Sequence, residues 1–458
     1  MWHKRSWLLP VLGLMASCSD STQQKQASQQ ETQGAAAATD TSLASAQLQH
    51  LPAPDTTHDV KNFSQVVGWP AGKSPTAPQG FEVATYASNF QNPRWIYQAP
   101  NGDIFVSESN TVPQTSTAKG EKKQGLKQSK AMRETSANRI TLLRDANRDG
   151  QPEVREVFLT GLNQPFGMLV MGNYFYVANT DGVLRFPYQT GQTKMTAAGQ
   201  KILDLPKGGY NNHWTRNLLP SLDGKTIFVS VGSGSNVMEH GADNEVRRAD
   251  ILQINPDGSG EKVYAAGLRN PVGLAWQPGT NQLWTAVNER DGLGDDLVPD
   301  YMTSVKPGGF YGWPYAYLGP HEDPRRKGER PDLVEKTLVP DVLLDPHSAS
   351  LGLAFYDKEA FPARYQGGAF VGQHGSWNRA SFTGYKVVYV PFKNGRPAGP
   401  PEDFLTGFLV GDGTKNAYGR PVGVTTLADG SLLVADDAGN RIWRVSASPS
   451  AQKGVASR

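Results

Sequence analysis

Short runs in which apolar and polar residues alternate, each closed by a glycine-bearing turn, recur from about residue 80 to about residue 446. Alternation with period two marks strands that bury one face, and turn residues between such runs mark hairpins. Four stretches repeat one order of events, a proline, an apolar run, a turn and an alternating strand: NPRWIYQAPNGDIFVSES from Asn92, QPFGMLVMGNYFYVANT from Gln164, NPVGLAWQPGTNQLWTAVNE from Asn270 and RPVGVTTLADGSLLVADD from Arg420. RNLLPSLDGKTIFVSVGS from Arg216 and ASLGLAFYDKEAFPARYQGGAFVGQHGS from Ala349 are degenerate copies, which makes six units. A third strand follows most units, as in RITLLRD, GVLRFPY, DILQINP, GYKVVYVPF and NRIWRV. With room for one further strand per unit, the pattern predicts an all-β, six-bladed β-propeller of four-stranded blades over residues 80–446. FEVATYA, Phe81–Ala87, precedes the first unit and is expected to supply the outer strand that closes the ring with the last blade.

The chain has 458 residues, a length that alone suggests two or three domains. One large propeller absorbs that length without a second domain. Forty-nine glycines and 32 prolines suit many tight turns and few long helices. Lys+Arg 45 against Asp+Glu 43 leaves a formal charge of +2, far from the basic balance of a nucleic-acid binder, so no nucleic-acid partner is expected. No G-x-G-x-x-G follows a strand, which removes support for a nicotinamide dehydrogenase.

Residues 1–17, MWHKRSWLLPVLGLMAS, begin basic, continue apolar and end in small residues directly before Cys18, the chain's single cysteine. The segment is too short for a good transmembrane span and resembles a bacterial lipoprotein signal peptide, whose cleavage leaves the cysteine as a lipidated N-terminus. The expectation is lipidation at Cys18, a disordered tether over 18–79, and a tail at 447–458, with the protein lipid-anchored in the cell envelope at the periplasmic face of the outer membrane. The start of the tether is rich in Gln, Ser, Thr and Ala and has little apolar surface to bury. A second polar stretch, residues 111–137, is rich in lysine and interrupts a strand-rich region. It reads as a solvated insertion or as a docking loop for an acidic partner.

Arg94, Arg269 with Asn270, and Arg420 occupy equivalent places at the repeat proline of three units. In a propeller the loops entering the innermost strands converge on the central channel at one face, so these side chains are expected in one cavity. Guanidiniums gathered there repel one another unless an anion is present, which implies a polyanionic ligand. The alternative is that they pair with blade carboxylates such as Glu108, Glu289 and Asp436 and clamp the ring. Separately, DANRDGQPEVRE, Asp145 to Glu156, has the D-x-N-x-D-G spacing of a calcium loop. Asp145, Asn147, Asp149 and Glu156 are candidate ligands of a structural calcium, although a hairpin turn held by Asp and Asn side chains explains the same residues.

Six separated motifs, NNHWTRNL, GLRNPVGLAW, NERDGLGDDLVPD, GGFYGWP, GSWNR with GYKVVYVPF, and GRPVGV with LLVADDAGNRIWRV, resemble the glucose/sorbosone dehydrogenase family. NERDGLGDDLVPD and GSWNR are most similar to its sorbosone-dehydrogenase branch. The resemblance implies a six-bladed propeller that uses pyrroloquinoline quinone (PQQ) and calcium to oxidise an aldose or sugar aldehyde. Hydride would pass to the quinone, and a membrane carrier, quinone or cytochrome, would accept the electrons. Two other classes suit the same shape, a calcium-dependent lactonase and a non-catalytic propeller that binds a glycan or a partner.

The resemblance also implies roles. His213 is the general base on the sugar hydroxyl, a role that suits imidazole near neutral pH. Arg269 stabilises negative charge on the reduced cofactor, Asn270 donates to a cofactor oxygen, and Arg420 holds a cofactor carboxylate, with Arg94 in the same cavity. Asp291 and Gly292 supply main-chain ligands to the cofactor's calcium, with Asp296 nearby. Asn378 stands where the glucose enzymes carry a lysine, and Arg379 is expected to restore that charge one residue later. Val422 replaces one of two arginines expected around GRPVGV. His347 and Ser348 fall on the substrate side.

Overall fold

The computed structural model describes residues 43–57, 60–111, 120–208, 210–411 and 413–448. The expected signal peptide, Cys18, the first part of the expected tether and the tail beyond residue 448 lie outside them. Six four-stranded antiparallel blades follow one another along the chain, the third extended by one short parallel strand, Gly309–Phe310. Blades 1 to 6 start on the inner strands Pro93–Gln98, Met168–Met171, Arg216–Pro220, Pro271–Trp276, Ser350–Phe355 and Pro421–Thr426. Each begins at one of the six repeat units. Phe81–Ala87 pairs antiparallel with Arg441–Ala447 and completes blade 6, as its place before the first unit predicts.

Two local features of the sequence explain the ring. The second strands IFVSE, IFVSV, LWTAV, AFVGQ and LLVAD are buried at every position, because each blade is covered on both faces by its neighbours. They therefore depart from strict alternation. The inner strands crowd toward the axis, and glycine makes the approach possible. A Cβ added at Gly167, Gly273, Gly352 or Gly423 would lie within 3 Å of the backbone of the next inner strand. The core lies between blades, as where Phe370, Tyr389 and Phe404 of blade 5 pack with Val434 and Trp443 of blade 6. Each such side chain contributes about 1.5–3 kcal/mol on burial.

Two regions differ from the expectation of disorder. Residues 43–57 and 60–79, read from the sequence as part of a tether, lie along the propeller face. Helix α1, Leu43–Leu48, rests on blade 4, where Ala44 N–H donates to Asp341 O at 3.3 Å. Asp55 N–H then bonds Leu293 O, Asn62 N–H bonds Trp377 O, and Gln65–Val66 pairs with Asn416–Ala417. Trp69 ends this strap against Phe408, Tyr418 and Trp443 and donates to Asp436 at 2.6 Å. Sparse aromatic anchors outweigh the polar composition around them.

Residues 120–137 of the insertion are packed on the propeller. Helix α2, Gly120–Gln128, presses Gly125 on the Phe63 ring, where any side chain would collide. Beyond it Met132 is buried, and Arg133 donates to Asn440 Oδ1 at 3.1 Å. This segment is a roof that spans from the strap to blade 6 and is not a solvated loop.

Candidate active site

A cavity of about 500 Å³ opens on the face where the inner strands begin. Every approach to an inner strand contributes to its wall, through Arg94, Gln164, Thr215, Asn270, Ala349 and Arg420. His213, Arg269, Asp291, Gly292, His347 and Asn378 also line it. The repeat-equivalent arginines are thus brought together as their positions imply. The carboxylates that neutralise two of them are Asp437 and Asp291, whereas Glu108 is taken by Arg139 and Thr141.

His213 sits in the NNHWTRNL loop that leads into blade 3. Its Nδ1 lies 2.8 Å from Ser233 Oγ and 3.0 Å from Ser233 O. A carbonyl can only accept, and the Ser233 hydroxyl gives its proton to Ser235 O at 2.7 Å. Nδ1 therefore carries the hydrogen, and Nε2 keeps a free lone pair. Burial, and then the nearby Arg269 guanidinium, hold the imidazole pKa well below its usual value, so the ring is neutral at pH 7. This is the form a general base requires.

Arg269 commits all five of its N–H groups. Asn236 O and Oδ1, Asn288 O, Glu289 O and the Asp291 carboxylate accept them. The guanidinium can act on a ligand through its charge and not through a new direct bond. Asn236 is the hub of this corner, since it also binds both the N–H and the O of Asp291. Asp291 in turn accepts from Asn378 Nδ2 at 2.7 Å, with His347 Nδ1 at 3.5 Å. Burial alone would raise the Asp291 pKa, but His347 and Arg269 outweigh it and keep the group ionised.

Across the cavity, Asp437 bridges Arg94 at 2.5 Å and His374 Nε2 at 2.9 Å. Burial and then Arg420 lower the His374 pKa to about 4. Arg420 donates to His374 O and Gly375 O, both at 2.9 Å, and retains further N–H groups. Two buried polar atoms of cavity-lining residues, Arg94 Nε and Asn270 Oδ1, have no partner among the described residues. Such atoms are costly unless a ligand meets them. For a planar tricarboxylate quinone the cavity fits, with a cationic wall, a neutral base and unmet polar atoms.

Several expected ligands are elsewhere. Arg379 turns to the rim, where it donates to Asp295 O at 3.0 Å and to Asp296 at 2.6 Å. The Asp296 carboxylate and the Asp295 main-chain O capture it, and neither Arg379 nor Asp296 lines the cavity. Ser348 is buried on Asp300. For calcium beside the cofactor, the Asp291 carboxylate is already shared between Asn378 and Arg269, and its main-chain O accepts one bond, from Asn236, so only main-chain oxygens of this loop are left to meet a cation. In the hairpin at Asp145, Glu153 and not Glu156 joins Asp145 and Asp149, and Glu156 faces Lys194 at 3.6 Å. Backbone N–H groups of Ala146, Asp149, Gly150 and Gln151 already occupy these acidic side chains. The Asx-turn reading accounts for the motif.

Sequence reasoning missed Lys122, Asn236, Arg325, His374 and Trp377, all of which line the cavity. Only His374 and Trp377 had a signal, since they flank or fall within the GSWNR motif.

The glucose/sorbosone dehydrogenase family model matches residues 174–376, and a TrAA12-like model matches residues 332–448. An uncharacterised protein of Borreliella burgdorferi is 28% identical over 382 residues, covering 80% of this chain and 89% of that protein. An aldose sugar dehydrogenase of Escherichia coli is 29% identical over 198 residues, covering 39% of this chain and 50% of that protein. Among solved structures, the holo PQQ domain of a Coprinopsis cinerea pyranose dehydrogenase has a TM-score of 0.64 at 21% identity, covering 84% of this chain and all of that domain. The fold is thus shared along nearly the whole propeller, and residues 174–376 match the glucose/sorbosone dehydrogenase family model.

Proposed function

We propose that this chain is a PQQ-dependent oxidoreductase that oxidises an aldose or sugar aldehyde. The observation that carries the reading is His213, which lines a cavity walled by Arg94, Arg269 and Arg420 with its Nδ1 bound to Ser233 and its Nε2 without a partner among the described residues. The names of two relatives, an aldose sugar dehydrogenase and a PQQ-dependent pyranose dehydrogenase, support it.

PQQ, when bound, would supply an electrophilic quinone carbonyl as the two-electron acceptor for the hydride of the substrate carbon. His213 Nε2 takes the hydroxyl proton as that C–H bond breaks, so the substrate loses two electrons and two hydrogens and becomes a carbonyl. Ser233 fixes the ring in the tautomer that does this. Arg94 and Arg420 hold carboxylates through their uncommitted N–H groups. Arg269, fixed by its own five bonds, places a full positive charge nearby without reorganising. A sorbosone-like substrate, a lipid anchor at Cys18, an envelope location and a membrane electron carrier complete the proposal.

The test adds PQQ, with and without calcium, to the cofactor-free protein and follows dye reduction with aldoses and sugar aldehydes. Activity is expected in the wild type, and His213→Ala should lower kcat by roughly 10²–10⁴-fold while PQQ still binds. If PQQ produces no bound spectrum, the dehydrogenase reading fails and a binding propeller replaces it.

A further inference from the structure

Five cationic side chains line the cavity, Arg94, Lys122, Arg269, Arg325 and Arg420. Three are engaged by the protein: Arg94 by Asp437, Arg269 by Asp291 and four main-chain or amide acceptors, and Arg420 by three carbonyls. Lys122 and Arg325 are not, since among the described residues neither side chain has a hydrogen-bond acceptor or an ion pair. Lys122 projects from helix α2 in the roof, with its Nζ 4.4 Å from the centre of the Trp377 ring. Phe63 of the strap stacks on the same indole at 5.4 Å and 13°. Trp377 thereby fixes the roof lysine beside Asn378.

Arg325 arrives from the long loop of blade 4. Its Nη2 would be 3.4 Å from a Cβ on Gly292, so it borders the corner where Asp291 faces the cavity and feels the Lys122 charge. The acids of this corner do not satisfy the pair. Asp291 is spent on Asn378 and Arg269. Glu239 accepts from the N–H groups of Asn236 and Val237, and Asp295 from that of Ala380. Two cations that line one cavity, each without an acceptor among the described residues, offer a site to an anion.

We propose that Lys122 and Arg325 form a second anion site at the cavity mouth, which takes a carboxylate of the bound ligand. The carboxylate comes from the cofactor or from an acidic sugar, and in that respect the proposal rests on the dehydrogenase reading. The roof thereby contributes to ligand binding, because the insertion delivers a cation that the GSWNR loop, with Asn378 inward and Arg379 outward, does not.

The cofactor-free full chain is titrated with PQQ, with glucuronate and with glucose, and tryptophan fluorescence reports binding beside Trp377. Lys122→Gln and Arg325→Gln are compared with Lys123→Gln on the same helix, and circular dichroism confirms folding. Each loss of a charge-assisted bond is expected to weaken the anion about tenfold, with a smaller difference at high salt because the mouth is open to solvent. A drop for PQQ alone assigns the site to the cofactor. A drop for glucuronate with PQQ unchanged assigns it to an acidic substrate. Should PQQ fail to bind the wild type while glucuronate binds through Lys122, the cofactor reading falls and the anion site stands. Equal affinity of all variants for both anions, or no anion binding at all, overturns the proposal.

Discussion

Replacing Asp437 by asparagine removes one negative charge from a position with no solvent access, between Arg94 at 2.5 Å and His374 at 2.9 Å. An amide can accept from one of these donors but turns its own N–H₂ toward the other, and the Arg94 charge is left buried without compensation. Breaking such a pair costs about 3–5 kcal/mol. The described residues, about 390, at roughly 2.1 cal/mol/K each, give an unfolding entropy near 0.8 kcal/mol/K, so Tm should fall by about 4–6 °C at pH 7. Burial would raise the Asp437 pKa, but His374 and Arg94 hold it well below the usual range. Its contribution is therefore present above the unfolded carboxylate pKa of about 4 and is lost as pH falls through the folded value, so the deficit should persist unchanged from pH 7 to 5. Arg94 without its carboxylate is also a stronger anion site, so PQQ should raise the Tm of the variant more than that of the wild type. Thermal unfolding with and without PQQ provides the assay, and a variant within 1 °C of wild type at pH 7 would refute the reasoning.

Other outcomes follow from single contacts. The His213 base is active unprotonated and its pKa lies below 6.5, so kcat/KM should keep full value from pH 6.5 to 8 as far as this group is concerned and decline only in more acid solution. A pH–rate profile with a His213-dependent limb above pH 7 would contradict this. Arg379→Gln should leave PQQ affinity and sugar kinetics unchanged, because its bonds run to Asp295 and Asp296 at the rim; a tenfold loss of affinity in a binding titration would show otherwise. Gly352→Ala forces a Cβ against the Val422 carbonyl at the axis, and thermal unfolding should report about 1–3 kcal/mol of lost stability. Chelator treatment should leave Tm within about 1 °C if the Asp145 hairpin is held by its Asx turns, and a larger fall would reinstate a structural calcium there.

The repeat was readable because a radial fold writes the same geometric problem six times. A proline at the inner strand and a glycine where inner strands crowd recur for a physical reason, and the arginines beside those prolines inherit a common direction. Residues whose position depends on one local contact were not readable. Arg379 has the charge expected of a cavity residue, yet the Asp296 carboxylate and the neighbouring Asp295 carbonyl on another loop capture it. The strap and the roof have polar compositions that argue for disorder, and a few residues decide against it: Phe63 against Gly125, Trp69 between aromatic rings, Met132 in the core. Composition averages over such anchors. Lys122 was invisible for the same reason, since nothing in its own sequence shows that a helix will carry it across the channel.

The pairing of Phe81–Ala87 with Arg441–Ala447 has a consequence for how this protein is made. The first strand of the propeller has to wait for the last, so the ring stays open until nearly all of the chain has emerged. Contacts between such distant segments make closure slow and leave strand edges exposed meanwhile. The strap shares that wait, because Trp69 docks on Trp443 and Phe408. A chain truncated before Arg441 would therefore lose blade 6, the strap's anchorage and one wall of the cavity together, and a nascent chain carries no assembled site until its final strand arrives.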